Sequence, residues 1–264
     1  MALSEGKTKL VKRLRNPRLR PREGYFVVEG VRGAREILRG DLTPEVRFAL
    51  VSPRLAGFQA GRDLVGLLTA SGLPLQEVSD QELEALSDTE QPQGVLLVVR
   101  EPHDPLGVLM ACSAPRVLLL DGVQDPGNTG TLIRAARAFG LNGVFALEGT
   151  VDPFNPKVVR ASAGALAHIP VLRLPWDDVS QWLEEKRVPL LVADAGGEDV
   201  RTVDLHPPWA LVVGNEGAGP RIELMERAAK VLAIPMDQGV ESLNAGLAGA
   251  ILLFALSTSS GEKT

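Results

Sequence analysis

The chain has 264 residues, of which 45% are hydrophobic and 23% charged, the composition of a globular protein large enough for one big domain or two ordinary ones. Its single cysteine, Cys112, excludes an intramolecular disulfide and a thiolate metal cluster. His103, His168 and His206 are scattered and show no metal-ligand spacing, so we predict that the protein uses no metal.

Basic residues are concentrated in the first segment. The net charge is −5, yet residues 1–39 contain eleven lysines and arginines against four glutamates, a local charge of +7 that leaves −12 for the remainder. Such a segment either meets phosphate groups or is a solvated tail, and charge alone does not distinguish the two. The candidate phosphate contacts are Arg13, Arg15, Arg18, Arg20 and Arg22.

We predict neither a signal peptide nor a membrane-spanning helix from the sequence. Residues 1–7 lead into no apolar run of the kind that a signal peptide contains. The longest uncharged apolar stretch, residues 245–256, is shorter than the ~20 residues that a membrane-spanning helix needs. We therefore expect a cytoplasmic protein with no membrane partner.

The first hundred residues predict a mixed α/β domain. In chain order, the elements expected are a helix near 29–39, a strand near 46–51, a helix near 61–70, a short strand, a helix over about 80–86 and a strand over 94–99. Asp80 is the expected N-terminal cap of its helix. Residues 100–115 are irregular and proline-rich, so we place a boundary there, with a small domain at 1–106 and a larger one at 107–264.

From Val117 onward, apolar runs of strand length alternate with helical stretches. The expected strands are 117–120, 143–147, 189–193, 210–213 and 231–234, and the expected helices are 129–139, 155–163, 177–187, 220–228 and 243–257. Continuous apolar runs are typical of strands that are covered on both faces. The larger domain is therefore predicted to be an α/β domain with a parallel sheet and right-handed crossovers.

Unusual loops follow three of these strands, and parallel sheets bind ligands at the carboxyl ends of their strands. The loop at 121–130 contains Asn128, which can cap the next helix, and Arg134 and Arg137 share one face of that helix. The loop at 214–220 places Glu216 among three glycines, and a tight turn does not require that carboxylate.

The third loop, residues 234–244, ends in Ser242, Leu243 and Asn244, and Ser242 is suited to cap a helix. The helix after it is nearly free of polar groups, so we expect it to be buried all round, in the core or against a partner subunit. None of the three loops has a Walker lysine, a G-x-G-x-x-G turn or a Ser/His/Asp set, so they indicate a function only jointly.

Together the three loops resemble the motifs of the SpoU/TrmH-type ribose 2'-O-methyltransferases of the SPOUT superfamily. The segments that carry the resemblance are Asn128-x-Gly130-x-x-x-Arg134-x-Ala136-x-x-Phe139-Gly140, Gly214-Asn215-Glu216-Gly217, Ile234-Pro235-Met236 and Ser242-Leu243-Asn244. The match covers roughly residues 117–257. It departs from many members at Ala245-Gly246, where they have Val-Ser. Residues 25–30 and 86–95 look more loosely like the ribosomal-protein-like substrate-binding domain of many rRNA-modifying members.

The resemblance implies a deep trefoil knot and S-adenosylmethionine as the cofactor. The implied cofactor-binding residues are Leu211, Gly214, Asn215, Ile234, Met236 and Leu243. The implied catalytic residues are Asn128, Arg134, Glu216, Ser242 and Asn244. Two roles stay open for Arg134, because a guanidinium is effectively always protonated: a transient base, or a charged group that stabilises the developing alkoxide.

The resemblance also implies a homodimer that methylates a ribose 2'-OH of structured RNA, and the separate first domain favours large-subunit rRNA. Three alternatives stay open: a tRNA 2'-O-methyltransferase, an enzyme that methylates a base, and a catalytically inactive RNA-binding protein of the same fold. Antibiotic-resistance methyltransferases of the thiostrepton type share the two-domain plan, so a housekeeping role and a resistance role both stay open.

Overall fold

The computed structural model describes residues 3–42, 44–102, 105–237, 239 and 242–258. The chain divides into two compact units. The first unit contains Met1–His103 together with Phe154–His168, and the second contains Asp104–Pro153 together with Ile169–Thr264.

The first unit is built on a four-stranded sheet in the order β1-β4-β2-β3. Its elements are α1 (Glu5–Arg15), β1 (Tyr25–Glu29), α2 (Val31–Arg39), β2 (Val46–Val51), α3 (Gln59–Ala70), β3 (Leu75–Glu77), α4 (Asp80–Glu84) and β4 (Val95–Arg100). The central strand β4 is antiparallel to β1 and β2, and β3 is parallel to β2. One core cluster joins Val11 and Leu14 of α1 to Val27, Phe48 and Leu96 of the sheet.

The predicted elements of this unit are found, and α1 and β1 are additional. The sequence around α1 is dominated by charged residues, and its buried face consists mainly of Val11 and Leu14, which is too few apolar positions to predict a helix. The cap of α4 was assigned to the wrong residue. Ser79, not Asp80, is the N-cap, because its hydroxyl accepts from the Glu82 N–H while the Glu82 carboxylate accepts from the Ser79 N–H.

The second unit contains a six-stranded sheet in the order β10-β8-β9-β5-β6-β7. The elements that follow β4 in the chain are α5 (Pro105–Met110), β5 (Arg116–Asp121), α6 (Pro126–Ala138), β6 (Gly143–Ala146), α7 (Pro156–Ala161), β7 (Val171–Arg173), α8 (Trp176–Lys186), β8 (Leu190–Asp199), β9 (Trp209–Gly214), α9 (Ile222–Glu226), β10 (Lys230–Ala233) and α10 (Ala245–Thr258). All five strand pairings in this sheet are parallel, which confirms the predicted parallel sheet.

The helix α7 belongs to the first unit, although it lies in the chain between two strands of the second. The ring of Phe154 packs on Phe26 with centroids 5.1 Å apart, and Arg160 forms an ion pair with Asp88 at 2.9 Å. The helix predicted over 155–163 therefore exists, but it completes the smaller unit. The boundary between residues 106 and 107 stays a prediction.

The last helix, α10, is not buried all round within one chain. Its small residues face α6, and a Cβ added to Gly249 would lie 2.2 Å from Cδ2 of Leu132. On other sides of the helix, Leu247 is 50% exposed and Phe254 is 55% exposed. Among the described residues, no helix is both long and apolar enough to cross a membrane.

Candidate active site

The helix α6 begins at the carboxyl end of β5 with a well-defined cap. The N-cap is Asp125, whose Oδ1 accepts a 2.7 Å hydrogen bond from the Asn128 N–H, and Pro126 occupies the first helical position. The prediction that Asn128 caps this helix is therefore wrong. Because Asn128 lies in the first turn and Asp125 satisfies the helix end, the Asn128 amide is free to reach another loop.

That amide donates a 2.8 Å hydrogen bond from Nδ2 to Oε1 of Glu216. The two residues are 88 positions apart in the chain, and the contact joins the first and second motif loops. Asn128 is only 8% exposed, whereas Glu216 is exposed. The structure thus brings two of the five predicted catalytic residues into direct contact at the carboxyl edge of the sheet.

The loop after β9 is organised by Asn215. Its Oδ1 accepts from the N–H groups of Gly217 and Ala218, both at 2.9 Å, and its Nδ2 donates to the carbonyl of Gly122 at 2.8 Å. A Cβ at Gly214 would lie 2.3 Å from the Pro220 nitrogen, so only glycine fits there. Asn215 was predicted to bind the cofactor; it lines the cavity described below, but its amide is used to shape the loop.

An ion pair that the sequence analysis did not identify fixes the far end of this loop. The carboxylate of Asp121, 4% exposed at the end of β5, accepts from the Arg221 backbone N–H at 2.8 Å and from Arg221 Nε at 2.7 Å. Arg221 also reaches Glu148, which follows β6. The sequence does contain a signal for this ion pair. Asp121 is an acidic residue at the end of an apolar strand, and a buried carboxylate needs a partner.

A cavity of about 390 Å³ opens at this edge of the sheet. It is lined by the second and third motif loops, the middle of β8, the ends of β9 and β10, and one face of α10. The predicted residues among its walls are Gly214, Asn215, Glu216, Ile234, Met236, Ser242 and Leu243. Its size and its walls, which combine apolar side chains with backbone and side-chain polar groups in similar measure, suit a small-molecule ligand.

Leu211 is not among the residues that line this cavity. It is fully buried in the middle of β9, between Leu118 of β5 and Leu191 of β8. A position three residues before the end of an interior strand packs against the covering layers, so the structure does not support its prediction as a cofactor contact.

Of the three remaining predicted catalytic residues, Arg134, Ser242 and Asn244, only Ser242 lines the cavity. Arg134 is exposed on α6, does not line the cavity, and has no hydrogen-bond or ion-pair partner among the described residues. Ser242 is exposed and lines the cavity. The cap role expected of Ser242 belongs to Asn244, whose Oδ1 accepts from the Leu247 N–H at 3.2 Å in the first turn of α10.

The five predicted phosphate-contacting arginines of the first unit differ sharply in exposure. Arg20 is 1% exposed, pairs with Glu101 at 2.5 Å and packs over the ring of Phe154, so it is a core residue and the prediction of an RNA contact is wrong for it. Arg15 is largely buried and pairs with Glu29. Arg13, Arg18 and Arg22 are exposed, although Arg13 pairs with Glu23.

The cavity lies at the carboxyl edge of a parallel sheet, where α/β proteins bind their ligands, so the fold and the site are those of a ligand-binding α/β protein. The family model "SpoU rRNA Methylase family" matches residues 115–254, and the "MRM3-like substrate binding domain" matches residues 6–97. The chain belongs to the SpoU rRNA methylase family, which confirms the predicted SPOUT-type fold and the predicted substrate-binding character of the first domain.

Relatives of known name agree with this assignment. The 23S rRNA (guanosine(2553)-2'-O)-methyltransferase RlmP of Bacillus subtilis is 37% identical over 187 residues, which are 70% of this chain and 73% of that protein. The 23S rRNA (uridine(2479)-2'-O)-methyltransferase of Streptomyces viridochromogenes is 30% identical over 248 residues, 91% of this chain and 85% of that one.

Among solved structures, the SpoU methyltransferase AviRb from Streptomyces viridochromogenes in complex with AdoMet is similar, with a TM-score of 0.85 and 27% identity over 97% of this chain and 98% of that one. The chain is an RNA methyltransferase that uses S-adenosylmethionine, as predicted. The cavity fits this cofactor, because its apolar walls suit an adenine ring while Asp194 and Glu216 add carboxylates that suit a cationic group.

Proposed function

We propose that the protein transfers a methyl group to a ribose 2'-OH of large-subunit ribosomal RNA. The observation that carries the proposal is the hydrogen bond between Asn128 and Glu216 at the edge of the cavity, with Arg134, on the same helix as Asn128, making no ion pair within the described part of the chain. The relatives named for 23S rRNA and for 2'-O-methylation support the substrate class.

Bound S-adenosylmethionine supplies an activated, electrophilic methyl group, so alignment with the attacking hydroxyl provides much of the acceleration. The Asn128–Glu216 pair holds two motif loops in one arrangement at the cavity edge. Ser242 and Leu243 close its other side. These residues orient the groups that react.

We assign to Arg134 the role of stabilising the negative charge that develops on the substrate oxygen. Its side chain is exposed and unpaired among the described residues, so the guanidinium is available to an RNA that docks over the cavity. A positively charged group near the 2'-oxygen stabilises the developing alkoxide. The exposure of Arg134 favours this role over that of a transient base.

We place the RNA contacts of the first unit on its exposed arginines. Arg18 and Arg22 are exposed, and Arg47 is an exposed residue at a register shift in β2, with its guanidinium 4.8 Å from the centroid of the Tyr25 ring. Guanidinium groups contact phosphates and stack on unpaired bases, which is how structured RNA is usually recognised. Arg15 and Arg20 serve the fold instead.

We also propose that the protein is a homodimer, that it contains the trefoil knot and that it is cytoplasmic. Leu247 and Phe254 expose apolar surface on α10, and a second copy of the chain would cover it. A sheet order in which β8 lies between β10 and β9 is compatible with the knot.

The decisive experiment maps 2'-O-methyl groups in the RNA of cells with and without the gene. We expect one or more 2'-O-methyl groups in large-subunit rRNA to disappear with the gene and to return with the wild-type copy. A lost modification in tRNA, or on a base, would replace the proposal by the corresponding alternative. An unchanged RNA would indicate a protein without methyltransferase activity in that cell.

Arg134→Ala in the purified protein tests the assigned role. Turnover on rRNA should fall by about 100-fold or more, because a charge that acts in the transition state is lost. The affinity for S-adenosylmethionine should be unchanged by calorimetry, since Arg134 does not line the cavity. Near-normal turnover of Arg134→Ala would contradict both roles considered for this residue.

A further inference from the structure

The described walls of the cavity carry an unbalanced negative charge. Among the described lining residues are two carboxylates, those of Asp194 and Glu216, and no lysine or arginine. Glu216 is engaged by Asn128 at the edge. Asp194 has so far been described only as a carboxylate of the cavity wall, and its sequence context predicts no role for it.

Asp194 is held in place within β8. It follows the buried part of the strand, where Leu190, Leu191 and Val192 lie in the sheet. Its Oδ1 accepts a 2.8 Å hydrogen bond from the Gly196 N–H. The other oxygen, Oδ2, has no hydrogen-bond partner among the described residues, so it remains available to a molecule in the cavity.

The neighbours of Asp194 strengthen its electrostatic effect. Ala193, Leu232 and Ala233 form apolar walls of the same cavity, and Asp194 itself is half-buried. Apolar walls lower the local dielectric constant, so a charge in the cavity interacts with this carboxylate more strongly than it would in bulk water. We therefore expect the charge of a ligand to affect its affinity for the cavity.

We propose that Asp194 is the counter-charge by which the cavity prefers the methyl donor to the demethylated product. The inference rests on the proposed function. During transfer, the ribose oxygen attacks the methyl carbon and forms the new carbon–oxygen bond, the carbon–sulfur bond of the sulfonium breaks with its electron pair staying on sulfur, and the hydroxyl proton passes to water. S-adenosylmethionine thus carries one positive charge more than S-adenosylhomocysteine, and both keep the same ammonium and carboxylate. Asp194 favours the first ligand and helps to release the second.

Calorimetry on the full chain tests this inference without any turnover. The ligands are S-adenosylmethionine, S-adenosylhomocysteine and sinefungin, which has a protonated amine in the place of the methyl sulfonium. Asp194→Asn should weaken binding of both cationic ligands by about fivefold and change the affinity for S-adenosylhomocysteine by less than about twofold.

Two further variants distinguish an effect of the Asp194 charge from an effect of the substitution on folding. Asp204→Asn removes an equal charge from an exposed residue that does not line the cavity, and it should leave the affinities for all three ligands unchanged. Asp194→Glu keeps the charge and should retain most of the preference for cationic ligands. Thermal unfolding checks that each variant is folded.

Equal weakening of all three ligands in Asp194→Asn would overturn the inference, because it would mean that Asp194 binds a group that the ligands share. Unchanged affinities in this variant would overturn it as well. A wild-type protein that binds none of the three ligands would instead contradict the proposed function itself, so the two failures are distinguishable.

Discussion

At the scale of single residues, burial decides which charged side chains serve the fold and which are available to a ligand. Arg18 and Arg20 are two positions apart in the same basic segment and are indistinguishable by charge. One is exposed, whereas the other is 1% exposed and paired with Glu101. The run of arginines therefore indicates that some basic side chains are exposed, but it does not indicate which ones.

This difference predicts opposite phenotypes for two matched substitutions. Arg20→Ala should lower the free energy of unfolding by about 3 kcal/mol, because it leaves the Glu101 carboxylate without its buried partner. Arg18→Ala should change stability by less than about 0.5 kcal/mol. Urea unfolding measures both.

For RNA binding, in contrast to stability, we expect the substitution of Arg18 to have the larger effect. Arg18→Ala should weaken binding to an rRNA fragment and reduce the slope of log K against log salt by about 1, since one phosphate contact is lost. Salt titrations by filter binding provide the slope. An Arg18→Ala protein with unchanged affinity and salt slope would remove Arg18 from the proposed RNA surface.

The lowered pKa of Glu148 makes the stability of the protein depend on pH. Burial raises its pKa, but backbone N–H donors, including that of Trp176, and the charge of Arg221 lower it by more, so the pKa lies below its ordinary value. A carboxyl with a lowered folded-state pKa stabilises the fold above its unfolded pKa, and this contribution is lost as the pH falls through the folded pKa.

The wild-type protein should therefore be more stable than Glu148→Gln at pH 7, and the difference should shrink as the pH falls from about 5 to about 3. Urea unfolding at a series of pH values measures the difference. The exposed Glu226→Gln serves as a control of equal charge change. A gap between wild type and Glu148→Gln that stays constant across this range would contradict the assignment.

At the scale of elements, close approach between helices explains the small residues of α10. Its Ala- and Gly-rich composition indicated burial, and the structure shows that Gly246 and Gly249 permit contact with α6. At Gly246, an added Cβ would lie 3.1 Å from Oδ1 of Asn128. The same helix contact thus supports the residue that bonds to Glu216.

Gly249→Ala should destabilise the protein by about 1–3 kcal/mol, since the added methyl group would overlap Leu132. The matched control is Gly66→Ala in α3, where no atom lies within 4 Å of the added Cβ. That variant should be stabilised by about 0.5–1 kcal/mol, because alanine has the higher helix propensity. Equal effects at the two glycines, measured by urea unfolding, would contradict the packing argument.

At the scale of the whole molecule, the apolar surface left on α10 predicts self-association. Phe254→Glu should convert the dimer to a monomer, because it places a charge in the proposed interface. Light scattering after size exclusion measures the mass. Val108→Glu, an equal change at a 51% exposed position on α5, should leave the dimer intact. A wild-type protein that is monomeric at micromolar concentration would exclude the proposed dimer.

The sequence by itself determined the parallel sheet, the loops at its carboxyl edge and the family, because apolar runs and motif spacing are local patterns. Only the tertiary structure decided that Asn128 bonds to Glu216, that Asp121 pairs with Arg221, that Arg20 and Leu211 are buried, and that α7 completes the first unit. Each of these depends on contacts between residues distant in the chain. The residues adjacent in sequence do not indicate those contacts. The same side chain is available to a ligand when it is exposed and belongs to the core when it is buried.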